Sequence, residues 1–276
     1  MADLSDLAGK AAENRLDVLE MIRAAGSGHP GGSLSLAELL VYLYFHRMSL
    51  RPEEPLWPGR DRLILSKGHG CPALYSVLAR RGYFDPKLLS TLRKLDSPLQ
   101  GHPDMTKLPG LDASTGSLGQ GLSTACGIAR ALALSGRGGH VYCILGDGEL
   151  QEGSVWEGVM SAATAGLANL TAIVDRNGVQ LDGRVDQLKP LEPLRDKLEA
   201  FGWSVIECDG HDFQSIHRAF AERDSIAGPA AIIARTVKGK GVSFMEDTCL
   251  WHGGCPDDDQ YRRAVAEIRG EEASNG

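Results

Sequence analysis

Five short apolar runs punctuate the chain, at residues 63–65, 141–145, 170–174, 203–206 and 230–234. None alternates with polar residues, so each reads as a strand covered on both faces, the situation of strands in a parallel sheet wrapped by helices. Between the last four lie stretches long enough for a helix. Segment 151–167 spaces Val155, Val159 and Ala163 by four, with Trp156 beside them on the same face. This is a βαβ rhythm, and it predicts an α/β fold with an open, mostly parallel sheet and helices on both faces. Ahead of the sheet, residues 4–25 place Leu16, Leu19 and Ile22 three apart in one helix, and 36–47 form a second, nearly all-apolar helix that packs deep or in an interface. The 34 glycines concentrate at junctions, 26–32, 116–121 and 146–148. No linker, low-complexity tract or repeat divides the chain, which reads as one domain over 1–276.

Composition narrows the class. Hydrophobic residues at 42% and charged residues at 24% belong to a soluble globular protein with a full core, and exclude disorder, collagen-like repeats and disulfide miniproteins. Lys plus Arg is 29 against 36 for Asp plus Glu; the net charge of -7 argues against nucleic-acid or anionic-membrane binding. Any bound phosphate is therefore held locally. The longest apolar run, 36–45, is too short for a bilayer and contains Glu38. The N-terminus is acidic where a signal peptide is basic, so the expectation is a cytoplasmic protein. Cys71, Cys126, Cys143, Cys208, Cys249 and Cys255 show no CxxC spacing and read as small hydrophobes without chemistry.

The motif with most chemical content is Gly146-Asp147-Gly148, directly after an apolar run and ahead of a helix. Ligands of open parallel sheets gather at the carboxyl ends of strands, and a glycine turn there lets backbone N–H groups approach a phosphate. Asn177 follows 29 positions beyond Gly148, at the end of the next run. Mg²⁺ takes oxygen ligands and is commonly held by one or two side chains plus substrate phosphates. Singly, these sequences are tight turns; at successive strand ends, Asp147 and Asn177 mark a diphosphate–Mg²⁺ site.

Gly146-Asp-Gly followed by Asn177 resembles the thiamine-diphosphate motif, and Gly146-Asp-Gly-Glu-Leu-Gln-Glu-Gly153 is similar to transketolase specifically. The resemblance runs nearly end to end, through Ser27-Gly-His-Pro-Gly-Gly32, Ser66-Lys-Gly-His-Gly70, Gly101-His-Pro103, Thr115-Gly-Ser-Leu-Gly-Gln-Gly121, Thr236-Val-Lys-Gly-Lys-Gly-Val-Ser-Phe-Met-Glu246 and Trp251-His-Gly253. It covers only the N-terminal, diphosphate-binding domain of that family. There is no room for the pyrimidine-binding and C-terminal domains, the former of which supplies the glutamate that activates the aminopyrimidine. The resemblance thus implies the N-terminal subunit of a split transketolase. Such a subunit uses thiamine diphosphate and Mg²⁺ and moves a two-carbon ketol unit from a ketose or ketose phosphate to an aldose. It is active only with a C-terminal transketolase-like subunit, as a heterotetramer with two copies of each.

Carried over residue by residue, the resemblance implies Asp147, the Asn177 side chain and the Val179 carbonyl as metal ligands. It places Gly116, Leu118, Gly146 and Gly148 at the cofactor, and Glu152 and Glu157 where the family has interface glutamates of the catalytic site. His29, His69, His102 and His252 match positions lining the substrate channel, with His69 and His252 also at the cofactor; imidazole suits binding sugar oxygens and moving protons near pH 7. His46, His140 and His217 lack such a context and read as structural. The 209–212 cluster around His211 reads as a turn capping a helix from near Phe213. Lys238 and Lys240, flanked by Gly239 and Gly241, either approach a phosphate or form a solvated basic loop. The exposed apolar surface left by the missing half is expected at 36–45 and Trp156.

Two readings compete: a decarboxylating thiamine-diphosphate subunit, similar to deoxyxylulose-phosphate synthase or a 2-oxoacid dehydrogenase, and a catalytically silent scaffold. The four placed histidines, unnecessary for pyruvate, favour transketolase. Walker A and HExxH signatures are absent, and Gly116-Ser-Leu-Gly-Gln-Gly121 is not in the order of the dinucleotide GxGxxG, which speaks against ATP and nicotinamide chemistry. Ser33-Leu-Ser35 and Ser117 depart from common family residues in the pocket wall and leave the sugars open.

Overall fold

The computed structural model describes residues 4–271. Five strands, β1 (Arg62–Leu65), β2 (Val141–Gly146), β3 (Leu170–Arg176), β4 (Ser204–Asp209) and β5 (Ala230–Arg235), form one sheet in the order β1-β2-β3-β5-β4 with every pair parallel. Each apolar run of the sequence is one of these strands. Tyr142 and Ile144 of β2 enter the core on one face of the sheet while Cys143 and Leu145 enter the core on the other. Successive side chains of a strand point to opposite faces, so a strand covered twice has no polar position to spare. The exception is β4. It is an edge strand with Ser204, Glu207 and Asp209 exposed, so its outer residues meet water instead of a second helical layer.

One face is covered by α1 (Leu7–Ala25), α2 (Pro30–Leu34), α3 (Ala37–Tyr42), α4 (Cys71–Arg80) and, later in the chain, α9 (Phe213–Arg223). The other carries α5 (Gln120–Leu134), α6 (Gly153–Thr164) and α8 (Leu194–Ala200); α7 (Val185–Leu188) and α10 (Asp258–Arg269) complete the fold. The predicted first helix starts at Leu7 rather than at residue 4 and ends where Gly26 adopts φ +67°, a left-handed cap. The helix predicted over 36–47 is α3 continued by a π-helical turn, Leu43–Arg47.

Two expectations about exposed surface are corrected. Every apolar residue from Leu36 to Tyr44 is at most 3% exposed, because α3 lies between α1, α4 and α9 and is enclosed all round. The run 36–45 is core and offers no docking face, although Phe45 is half-buried. In α6 the buried stripe is Val155, Gly158, Val159 and Ala162. Trp156 flanks that stripe, half-buried against Phe201 at 5.9 Å between rings, with its Nε1–H donated to the Leu150 carbonyl at 2.8 Å. The predicted helix over 151–167 is shorter because a 3₁₀ turn, Gly148–Gln151, precedes it. All six cysteines are free thiols. Among the described residues no helix is long and apolar enough to cross a membrane.

Candidate functional site

Parallel pairing of β2 with β3 sets Gly146 opposite Asp175, so Asp147 and Asn177 leave adjacent strand ends side by side. Asp147 is 2% exposed. Its Oδ1 accepts from the Gly148 N–H at 2.8 Å, and its Oδ2 accepts from the Gly178 N–H at 2.5 Å and from Arg176 at 3.3 Å. Burial, with the charge of Asp175, pushes its carboxyl above the usual range, against the pull of those donors. Asn177 Oδ1 accepts from the Val179 N–H at 3.1 Å. The Val179 carbonyl accepts from Lys238 Nζ at 3.0 Å, so a cation already rests on that oxygen.

A cavity of about 270 Å³ opens on these groups, lined by Asp147, Asn177 and Val179 together with Gly146, Gly148, Leu118, Glu152, His69, His252, Lys67 and Lys238. One carboxylate, one amide oxygen and one carbonyl make an all-oxygen donor set of the kind Mg²⁺ takes. Gln180 Oε1, which lines the same cavity, is buried with no hydrogen-bond partner among the described residues. A Cβ on Gly148 would come to 3.0 Å from the Gln180 side chain, a tight contact that glycine avoids. No group of three His, Cys, Asp or Glu suited to a metal occurs among the described residues. A larger cleft, about 530 Å³ between Trp156, Phe201, Lys189 and Lys197, lacks titratable residues predicted for chemistry.

The four predicted histidines converge from three separate loops and a 3₁₀ turn, Gly68–Gly70, that holds His69. The His29 ring lies 5.4 Å from His69, 6.1 Å from His102 and 5.6 Å from His252, and His69 and His252 are 5.2 Å apart. His69 and His252 face the cavity, while His29 and His102 stand outside its lining. Burial and Arg93 lower His29 to about 4; burial and Lys238 lower His252 to about 3. His69 is held well below its ordinary value by burial and Lys67, and His102 is lowered by burial and Arg93. All four rings are therefore neutral at pH 7. Each offers one donor and one acceptor to a polar ligand. Gly116, at φ +131°, packs against His102 rather than on the cavity wall, because a Cβ there would sit 2.8 Å from the ring. Glu152 and Glu157 are both exposed on or beside the first turns of α6, Glu152 at the cavity rim and Glu157 away from it.

Several organising residues escaped the sequence reading. Lys67 and Asp175 form an ion pair whose side chains are 2% and 0% exposed. Asp175 also accepts from Ser35 Oγ at 2.8 Å, from Asn177 Nδ2 at 3.2 Å and from Thr236 Oγ1. Glu149 ties three glycine-rich turns, accepting from Ser66 Oγ, from the Gly119 N–H at 2.9 Å and from the Gly146 N–H at 3.0 Å. The signal for both was an ionisable residue inside an apolar or glycine-rich motif, where an unpaired charge is not tolerated. Lys238 turns into the cavity, whereas Lys240 pairs with Glu246 at 3.3 Å near the surface. The 209–212 cluster caps α9 through Asp212, which accepts from the Gln214 and Ser215 N–H groups. His140 and His217 bond Thr171 and Tyr42, at 2.8 and 3.0 Å, and neither they nor His46 line the cavity.

Comparison with known proteins agrees with this arrangement. Residues 9–271 match the family described as transketolase, thiamine diphosphate binding domain. The 6-deoxy-6-sulfo-D-fructose transketolase subunit of Clostridium sp. (strain MSTE9) is 45% identical over 269 residues, 97% of this chain and 98% of that one. The apulose-4-phosphate transketolase subunit of Phocaeicola vulgatus is 40% identical over 260 residues, covering 94% and 92% of the two chains. Human transketolase is 41% identical over 266 residues, 96% of this chain and 42% of its own. The crystal structure of Campylobacter jejuni transketolase superposes with a TM-score of 0.92 at 32% identity, over 97% of this chain and 43% of that one. With a parallel sheet, adjacent Asp and Asn at two strand ends and these matches along its length, the chain belongs to the transketolase family, as its thiamine diphosphate binding domain.

Proposed function

We propose that this chain holds thiamine diphosphate through Mg²⁺ and, with a second chain carrying the remaining transketolase domains, transfers a two-carbon ketol unit from a ketose or ketose phosphate to an aldose. The observation that carries the reading is the shared cavity wall of Asp147, Asn177 and the Val179 carbonyl, with neutral His69 and His252 facing it. The unpaired Gln180 Oε1 and the close glycine floor at Gly148 support a fit to the group. When bound, thiamine diphosphate supplies a thiazolium carbon that adds to a ketose carbonyl. In this reading Asp147 and Asn177 anchor the metal, Lys238 offsets diphosphate charge, and Leu118, Gly146 and Gly148 pack against the cofactor. The uncharged rings of His29, His69 and His102 bind sugar hydroxyls and relay protons by exchanging donor and acceptor roles, while His252 donates to the sugar from Nε2–H. Glu152 and Glu157 face the partner.

Domain content follows from the same reading: the chain acts as a single diphosphate-binding domain and the partner brings the pyrimidine-binding part. The relatives named as subunits cover nearly the full span of this chain, which supports a two-chain enzyme, and a heterotetramer with two copies of each is the assembly we favour. One is named for a sulfo-sugar and one for a sugar phosphate, which supports a sugar bearing an anionic group as substrate here. A silent scaffold is disfavoured because Asp147, Asn177 and Val179 stay together on one cavity with His69 and His252, beside His29 and His102. The test is reconstitution. The chain alone should bind thiamine diphosphate weakly and turn over no ketose, and should gain ketol transfer on adding a C-terminal transketolase-like subunit, with mass recorded by light scattering. Full activity from the unpartnered chain would overturn the two-chain reading.

A further inference from the structure

We propose that Glu38 and His211 are positioning residues for Lys238, gripping the backbone of residues 236–241 from both sides. The inference rests on the reading of the cavity given above and extends it to residues that do not touch the cavity.

Glu38, on α3, is 7% exposed, and its Oε2 accepts from Arg15 of α1 at 2.7 Å and from His211 Nδ1 at 2.9 Å. His211 Nε2 in turn accepts from the Val237 N–H at 2.8 Å, and Arg15 Nε donates to the Lys240 carbonyl at 2.8 Å. One carboxylate therefore holds the loop by two arms, one residue before Lys238 and two after it. A backbone N–H can only donate, so His211 Nε2 is the acceptor and its Nδ1 carries the proton given to Glu38. Burial raises the Glu38 carboxyl, but the His211 bond and Arg15 outweigh it and hold the group below its ordinary value.

Between the arms the loop has little slack. Gly239 sits at φ +80°, where a Cβ would fall 2.1 Å from the Met245 carbonyl oxygen, so only a bare backbone fits. Lys238, 2% exposed, then spends its ammonium on Val179 O at 3.0 Å, Gln180 O at 3.3 Å and His252 Nδ1 at 2.8 Å. An ammonium has no acceptor, so His252 Nδ1 accepts and its Nε2 keeps the proton. Two imidazoles, His211 behind the loop and His252 in front of it, are thereby fixed in opposite tautomers. A packing role alone would be better filled by apolar side chains, since a buried charged set costs desolvation that its pairing barely offsets.

The test compares His211→Gln, His211→Asn and His211→Phe in the full chain and in its complex with the C-terminal subunit. Gln places an oxygen near the Nε2 position and keeps the acceptor for Val237; Asn keeps only a donor for Glu38; Phe keeps neither. We expect the ¹⁵N signature of His252, a single Nε2–H tautomer in the wild type, to persist in His211→Gln and to move toward a tautomer mixture in the other two. Affinity for thiamine diphosphate with Mg²⁺, by calorimetry on the complex, should fall by about tenfold in His211→Asn and His211→Phe, because binding must then order a loop that His211 no longer holds, and by less in His211→Gln. Arg15→Met, which frees the Lys240 carbonyl and takes the Arg15 partner from Glu38 but leaves the His211–Val237 bond, should move the His252 signature in a folded chain even if a His211 variant fails to fold. An unmoved signature in Arg15→Met, or equal damage from Gln and Phe at position 211, would overturn the proposal. A wild-type complex that binds no thiamine diphosphate would refute the functional reading instead, and the His252 signature would still decide the clamp.

Discussion

Replacing Asp175 by Leu strips the buried Lys67 ammonium of its counter-charge while leaving a side chain of similar size. The pair is sealed from solvent, 2% and 0% exposed, and Lys67 is left with the Gly32 carbonyl at 3.0 Å as its other partner. Breaking one side of a buried ion pair costs about 3–5 kcal/mol, because the remaining charge is desolvated without compensation. Ser35, Thr236 and Asn177 lose an acceptor as well, which keeps the expected loss from falling below that range. At about 2–3 °C per kcal/mol for a chain of this size, the thermal midpoint should drop by roughly 6–15 °C. Urea titration followed by circular dichroism measures the free energy directly. The double variant Lys67→Met with Asp175→Leu should recover most of the loss, because apolar replacement removes both desolvation costs. Burial raises the Asp175 carboxyl, yet Lys67 and the hydroxyl donors outweigh it and hold the native value below the ordinary one. The unfolded chain therefore binds its proton first as pH falls. The pair's contribution is complete above the ordinary aspartate value of about 3.9 and is lost as pH drops through the depressed native one. The gap between wild type and variant should accordingly stay constant from pH 7 to about 5 and close only below about 4. A single variant costing less than about 1 kcal/mol, or a double variant as unstable as the single, would refute this account.

Two further outcomes concern the candidate site. Asp147→Ala should weaken thiamine diphosphate binding in the assembled complex by at least about a hundredfold at fixed Mg²⁺, with Asn177→Ala nearly as damaging, as expected when metal ligation is disturbed; calorimetric titration with unchanged affinity in both would remove the metal assignment. His102→Ala should leave that affinity within a few-fold, because the ring lies outside the cavity lining, while lowering kcat by roughly 10- to 1000-fold through a lost hydrogen bond to the sugar; steady-state kinetics with wild-type kcat and KM would count against its role.

What could be read from the order of residues was whatever depends on local pattern. Unbroken apolar runs such as 141–145 and 230–234 required strands covered on both faces, and Gly146-Asp147-Gly148 with Asn177 required special chemistry at two strand ends. Even there, β4 shows the limit. An apolar run at 203–206 is not distinguished by its own sequence from an interior strand, and only its place at the sheet edge exposes Glu207 and Asp209.

Tertiary structure decided everything that joins distant segments. The same run, 36–45, satisfied both a core helix and an exposed docking face by composition, and its enclosure by α1, α4 and α9 chose the first. His29, His69, His102 and His252 were visible one at a time, but their neutrality is a property of their mutual burial beside Lys67, Arg93 and Lys238. Lys67 with Asp175 and Glu38 with His211 are separated by 108 and 173 positions and carry no shared local pattern. A charge inside an apolar stretch announces in the sequence that it needs a partner, since burying it alone is prohibitive. Which partner meets it is fixed by the geometry of the sheet and its loops, because the pairing energy exists only at contact distance.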